Sequence, residues 1–164
     1  TETFLGVHPS HSYLYYVIAG PVGAYYKEGM NPVRILASDT HVRAVKGGLG
    51  AAKTAGNYAA SLFGAEEAQK AGYTQVLWLD GVEHRYLDEV GTMNIMMRIG
   101  DEVVTPPLNG AILAGITRQT LKGLADKLQL KLVERPFSIA EAQKAKEAFI
   151  TSATSFRGSR TAAA

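Results

Sequence analysis

The feature that most limits what this chain can become is a change of hydrophobic period at Gly72. Before it, "NYAASLFGAEEAQKAG" consists of helix formers, with Tyr58, Leu62, Ala65 and Ala68 spaced at three and four and Gly72 placed as a C-cap. After it, "TQVLWLD" is a short apolar run closing at Asp80, and "GVEHRY" is a polar turn. "LDEVGTMNIMMRIGDEVVTPP" then supplies two more strands joined by Gly100-Asp101. Segments of both periods in one chain call for helices packed on a sheet.

The remaining segments fit the same mixture. "YLYYVIAGPVGAYY", Tyr13 to Tyr26, is aromatic and β-branched and reads as two strands bent at Gly20-Pro21. Val33 to Ala37 is a strand after the Asn31-Pro32 turn signal. "GITRQTLKGLADKLQL" restores the helical period through Leu121, Leu124, Ala125 and Leu128, with Thr117 placed to cap the first turn. "KLVERPFS" is a strand, "IAEAQKAKEA" a short helix, and "AFITSATSF" a last strand or strand-to-loop segment. Without repeats or a linker, the expectation is one α+β domain over residues 1–156 with a mixed or mostly antiparallel sheet. Residues 157–164, "RGSRTAAA", look like a tail. At 164 residues and 46% hydrophobic, the chain can bury one sizeable core.

Several functions are disfavoured at once. The net charge is +2, from 17 basic and 15 acidic residues scattered along the chain, so no basic stripe marks a nucleic-acid partner. No cysteine is present, which removes disulfides and thiolate chemistry. His8 and His11 lie three apart in a Pro/Ser-rich stretch that reads as a polar loop rather than a metal site. No apolar run approaches the roughly 18 residues that span a bilayer, and the expectation is a cytoplasmic protein without a membrane partner.

Three places could carry chemistry. In "GGLGAAKTAGNY", Lys53 sits among Gly47, Gly48, Gly50, Ala51, Ala52, Thr54, Ala55 and Gly56, with no acid beside it. It is either an exposed lysine on a flexible loop or one kept bare for covalent chemistry, where burial would disfavour its charged form. Glu89, between a polar turn and an apolar strand, is either a solvated turn residue or a carboxylate able to hold the proton of a cationic heterocycle. "GIT", Gly115 to Thr117, opens a helix, so it is either a simple cap or a set of N–H groups and a hydroxyl facing an anion.

"KTAGNY", "EVGTMNI", "TPPLNGAILAGITR" and "EAFITSAT", in this order, closely resemble the branched-chain aminotransferases. These belong to the fold type IV pyridoxal-phosphate enzymes, together with D-amino-acid aminotransferases and aminodeoxychorismate lyases. The resemblance runs from about Leu5 to Phe156. It implies a mixed or antiparallel β pseudo-barrel with flanking helices, the larger domain of such enzymes, and pyridoxal 5'-phosphate as cofactor. By the same resemblance Lys53 carries the cofactor aldehyde, Tyr58 bonds its phenolic oxygen, Glu89 pairs with the pyridine nitrogen, and Thr92 adjoins Glu89. Ile116 and Thr117 face the phosphate, Ser152, Ala153 and Thr154 match a second phosphate loop, and Arg43 lies near the cofactor.

The activity implied is amino transfer from leucine, isoleucine or valine to 2-oxoglutarate, with an amino acid and a 2-oxo acid as small-molecule partners and a homodimer or higher homo-oligomer as the assembly. "ITSAT" also resembles the D-specific branch, which leaves D-amino-acid or broad-specificity transamination as an alternative. A catalytically silent folded fragment or assembly unit is another. The family carries a further domain ahead of this part, so the resemblance implies a truncated chain with weakened cofactor binding and turnover. Ala55, Ala114 and Ala153 depart from the family's usual glycine, proline and threonine. The last removes a hydroxyl contact worth about 1 kcal/mol.

Overall fold

The period change at Gly72 is realised as a helix followed by strands. A computed structural model describes residues 5–21 and 31–151 and the backbone of residues 156–159. In chain order the elements are β1 (Ile35–Ala37), α1 (Ala55–Lys70), β2 (Gln75–Leu79), β3 (Leu87–Val90), β4 (Asn94–Ile99) and β5 (Glu102–Thr105). They continue with α2 (Ile116–Lys127), β6 (Lys131–Glu134), α3 (Ile139–Ala142), β7 (Glu147–Thr151) and β8 (Phe156–Ser159). The strands form two mixed sheets. One has the order β1-β2-β3, with β1 parallel and β3 antiparallel to β2. The other has the order β6-β5-β4-β7-β8, in which only the β5–β6 pair is parallel.

The stretch from Leu87 to Thr105 yields three strands rather than the two expected. Gly91, at φ +57, turns the chain between β3 and β4, a conformation that resists any residue with a Cβ. Val90 and Met93 bridge across that turn, and the Trp78 indole N–H holds the Gly91 carbonyl at 2.9 Å. The second turn, at Gly100, lies where the sequence placed it. The core runs between the sheets through Leu79, Leu87, Val90, Met93, Val104 and Phe137. Each such side chain removed from water is worth about 1.5–3 kcal/mol.

Other expectations are corrected. Tyr13 to Pro21 form no strand, and Tyr13, Tyr15 and Val17 are 83%, 88% and 77% exposed. β-propensity is a preference for a half-buried pleated surface, and this stretch meets no sheet edge among the described residues. Its continuation, 22–26, lies outside them. Helix α1 turns a different face inward: Asn57, Ser61, Gly64 and Ala68 are buried, while Leu62 is 68% exposed. The helix lies so close to Trp78 that a Cβ on Gly64 would come within 3.0 Å of the indole, so the inward face holds small residues. Its C-cap is Ala71. The strand β8 takes in residues 157–159, where a tail was expected, because β7 offers an edge with which it pairs from Thr151↔Phe156 to Ala148↔Ser159.

Candidate active site

Strand β3 is covered on both faces, so Asp88 and Glu89 are both withdrawn from water. Glu89 is 2% exposed. Its Oε1 accepts the Leu113 backbone N–H at 2.9 Å and the Asn94 side-chain amide at 3.1 Å. The same Asn94 nitrogen donates to the Leu113 carbonyl at 2.9 Å. The other oxygen, Oε2, faces Arg43 Nε at 3.2 Å, a charge contact without the alignment of a hydrogen bond. Arg43 is held from behind by the Ala111 carbonyl, to which it donates.

Burial is the largest influence on Glu89 and pushes its carboxyl up to about 7, against the lowering effects of the Arg43 charge and the Leu113 N–H. The Asp88 charge adds to the rise and Lys53 opposes it. Asp88 is likewise pushed up to about 6, first by burial and then by the charge of Asp80. Asp80 goes the other way. Burial works to raise it, yet backbone N–H groups of Tyr86, Glu83, Arg85 and Val82 hold it down at about 2.

The lysine loop reaches this carboxylate by close backbone packing. A Cβ on Gly50 would lie 2.2 Å from the Ala111 carbonyl oxygen, which is backbone and cannot yield. Asn57, in the first turn of α1, donates to Leu49 O at 2.7 Å and Ala52 O at 2.8 Å, tying the loop to the helix. Lys53 follows directly, with Nζ 5.7 Å from the centroid of the half-buried Tyr58 ring. It is exposed rather than buried. Its small neighbours bring backbones together; they have too little side chain to cover an ammonium.

Helix α2 starts alongside. Its N-cap is Gly115, without a side-chain cap, and Thr117 lies inside the first turn instead of capping it. No acid stands in that turn, so the positive end of the helix is not offset by a carboxylate of its own. Gly115 abuts Asn94: a Cβ there would sit 2.2 Å from the Asn94 Oδ1. Thr151, opposite Asn94 in the β4–β7 register, is 1% exposed and its hydroxyl has no partner among the described residues. Ile116 is 75% exposed, and Thr92 is exposed at the β3–β4 turn. Ser152, Ala153 and Thr154 lie outside the described residues.

Residues 6–158 match the family described as amino-transferase class IV. The chain belongs to the class IV aminotransferases. Branched-chain-amino-acid aminotransferase 2 of Bacillus subtilis (strain 168) is 54% identical over 141 residues, which are 86% of this chain and 39% of the relative. Among solved structures, the branched-chain aminotransferase of Thermoproteus uzoniensis with norvaline superposes with a TM-score of 0.76 at 31% identity, covering 86% of this chain and 46% of that one. The T.th. branched-chain amino acid aminotransferase complexed with N-(5'-phosphopyridoxyl)-L-glutamate gives 0.69 at 25% identity, covering 79% and 42%. The chain thus spans about two fifths of the length of the curated relative.

In this member of the class IV family, Arg43, Lys53, Glu89 and the helix start at Ile116 come from four separated segments that meet around Ala111 and Asn94. Sequence reasoning missed the two amides that join them. Asn57 left one signal, a short polar residue in a helix's first turn, and Asn94 another, a polar residue opening an apolar strand. The Ala111 carbonyl and Leu113 N–H left none, because a backbone group bears no mark of its use.

Proposed function

We propose that this chain is the cofactor-binding part of a branched-chain aminotransferase that moves an amino group from leucine, isoleucine or valine to 2-oxoglutarate with pyridoxal 5'-phosphate. The observation that carries it is the buried Glu89 carboxylate, fixed by Leu113, Asn94 and Arg43 beside the Lys53 loop. The phosphopyridoxyl-glutamate of the T.th. structure and the name of the B. subtilis relative support the cofactor and the substrate class.

The residues present fit that group. An uncapped, acid-free helix start and the buried Thr151 hydroxyl, without a partner among the described residues, suit an anion, and Oε2 of Glu89 keeps a lone pair for a ring N–H. Bound there, pyridoxal phosphate supplies an aldehyde and an electron-withdrawing ring that weakens the Cα–H bond of an amino acid. Lys53 is the residue that would hold this group, and its amine would be the base that accepts the Cα proton of the amino acid and returns it. Glu89, whose burial raises its proton affinity, accepts a strong hydrogen bond from the ring nitrogen. Arg43 sets the orientation of that carboxylate, and Tyr58 steadies the phenolic oxygen. Ile116 and Thr117 would offer N–H groups and a hydroxyl to the phosphate, Thr92 adjoins Glu89 in sequence, and the family resemblance alone adds Ser152, Ala153 and Thr154 as a second phosphate loop. The exposed apolar side chains of α1, Leu62 and Phe63, support a homo-oligomer.

The test is covalent trapping. The full chain is incubated with pyridoxal phosphate, reduced with borohydride and mapped by mass spectrometry, while glutamate formation is followed from leucine and 2-oxoglutarate. The expected result is an adduct on Lys53 that Lys53→Ala abolishes, with leucine preferred over D-alanine. An adduct spread over surface lysines, unchanged in Lys53→Ala, would overturn the reading.

A further inference from the structure

Asn94, which sequence reasoning did not single out, touches Glu89, Leu113 and Gly115 at once. It is 6% exposed and opens β4, where its backbone is fixed by pairing with Thr151. Its amide nitrogen has two hydrogens, and both are used: one on Glu89 Oε1 at 3.1 Å, the other on the Leu113 carbonyl at 2.9 Å. Leu113 returns its own N–H to the same Glu89 oxygen at 2.9 Å, closing a ring of three bonds among a strand, a neighbouring strand and the segment leading into α2. The remaining atom of the amide, Oδ1, lies against Gly115, where a Cβ would come to 2.2 Å. The far end of a side chain can usually swing away from such a collision. Here swinging means releasing Glu89 and Leu113 together.

We infer that Asn94 is a positioning residue that couples the Glu89 carboxylate to the start of α2, so that one amide sets the spacing between the group facing the cofactor's ring nitrogen and the backbone facing its phosphate. The functional half of this rests on the reading in the preceding subsection; the mechanical half concerns only this chain. The Gly115 N–H also donates to the Leu113 carbonyl at 2.9 Å, a backbone bond that Gly115→Ala keeps, whereas the added methyl meets the Asn94 amide first and so reaches the carboxylate through Asn94. Gly115 is therefore fixed as glycine by the amide it faces.

The experiment uses the full chain without cofactor, with glutamate carboxyls labelled with carbon-13 and the Glu89 resonance assigned by its loss in Glu89→Gln. At fixed pH, Gly115→Ala is expected to move the Glu89 resonance in the same direction as Asn94→Ala, and to add nothing in the Asn94→Ala background. An unmoved Glu89 resonance in folded Gly115→Ala, or additive shifts in the double variant, would overturn the coupling. Should Gly115→Ala fail to fold, Asn94→Ser decides alone: the Leu113 amide should exchange with solvent about tenfold faster, the effect of one ordinary hydrogen bond, while the Ile95 and Ile150 amides keep their rates. Unchanged Leu113 exchange would overturn the proposal. The consequence for the cofactor is read by trapping pyridoxal and pyridoxal phosphate on Lys53. Loss of both in Asn94→Ser supports coupling of ring and phosphate ends, and loss of pyridoxal phosphate alone contradicts it. A wild-type chain that traps neither refutes the aminotransferase reading and leaves the carbon-13 result standing by itself.

Discussion

Glu89 holds its proton nearly to neutrality because the loss of water around its carboxylate outweighs what Arg43 and Leu113 give back. That has a consequence for stability. Folded Glu89 takes up its proton at about 7 against 4.5 for the ordinary group, and folded Asp88 at about 6 against 3.8. Between those limits the folded chain binds more protons than the unfolded one. The stabilisation is fully present below the ordinary values and is lost as pH rises, first through about 6 and then through about 7. Urea unfolding should therefore show stability falling by on the order of a few kcal/mol between about pH 5 and pH 8. Glu89→Gln should flatten that slope, since the amide cannot titrate; a variant with the wild-type slope would place the titration elsewhere. Asp80 has the opposite sign, because its value of about 2 lies below 3.8, so its contribution is lost in acid and stays constant across this window. None of this was legible in "LDEV". The letters give an acid beside a turn, and what makes it a proton-holding group is the coverage of both faces of β3. Lys53 was legible as a bare lysine, although its neighbours signalled close backbone approach and not burial.

At the scale of elements, the loop before α1 is ordered by a residue inside the helix. Asn57 is 7% exposed and satisfies two carbonyls of the preceding loop, so Asn57→Ala leaves both without those donors. The expected loss is about 1 kcal/mol, that of ordinary hydrogen bonds, because Leu49 and Ala52 are exposed and the Leu49 carbonyl keeps the Ala52 N–H. Hydrogen exchange should rise across residues 49–53 more than in β4. A uniform rise over the whole chain would mean that Asn57 serves global packing only. The helix itself was legible from its formers and its flanking glycine, but its inward face was not. The expected stripe of Tyr58, Leu62, Ala65 and Ala68 gave way to Asn57, Ser61, Gly64 and Ala68, because the indole of Trp78 leaves no room for larger side chains. Helical periodicity reports that a face exists; which face turns inward depends on the partner. For the same reason the aromatic run at Tyr13 predicted strands that need an edge to pair with.

Across the whole molecule, the position of α2 relative to the five-stranded sheet is set by buried charge. Arg118, in the first turn of the helix and 1% exposed, pairs with Glu134 of β6 at 2.9 Å and donates to the Pro106 carbonyl, beyond the end of β5, at 3.0 Å. Lys122 meets the other oxygen of Glu134. In "GITR" the N–H groups and the hydroxyl are legible, but the arginine passes for a surface cation, since nothing in a sequence marks a guanidinium as destined for the interior. An ion pair of this kind adds little beyond what an apolar pair would give, but removing one partner strands the other. Glu134→Gln strands Arg118, which is 1% exposed, but the Pro106 carbonyl still accepts from that guanidinium, as can the oxygen of the new amide, which offsets part of that penalty. Glu134→Gln should then destabilise the chain by about 1–3 kcal/mol in urea unfolding, below the roughly 3–5 of a fully buried pair. Replacing both partners, Arg118→Met with Glu134→Leu, should recover most of the loss, because no buried charge is then left over. If the double variant were as unstable as the single, the pair would be contributing attraction rather than registry. The helix start at Ile116 would then owe its place to Coulomb energy and not to the fit of α2 against β6.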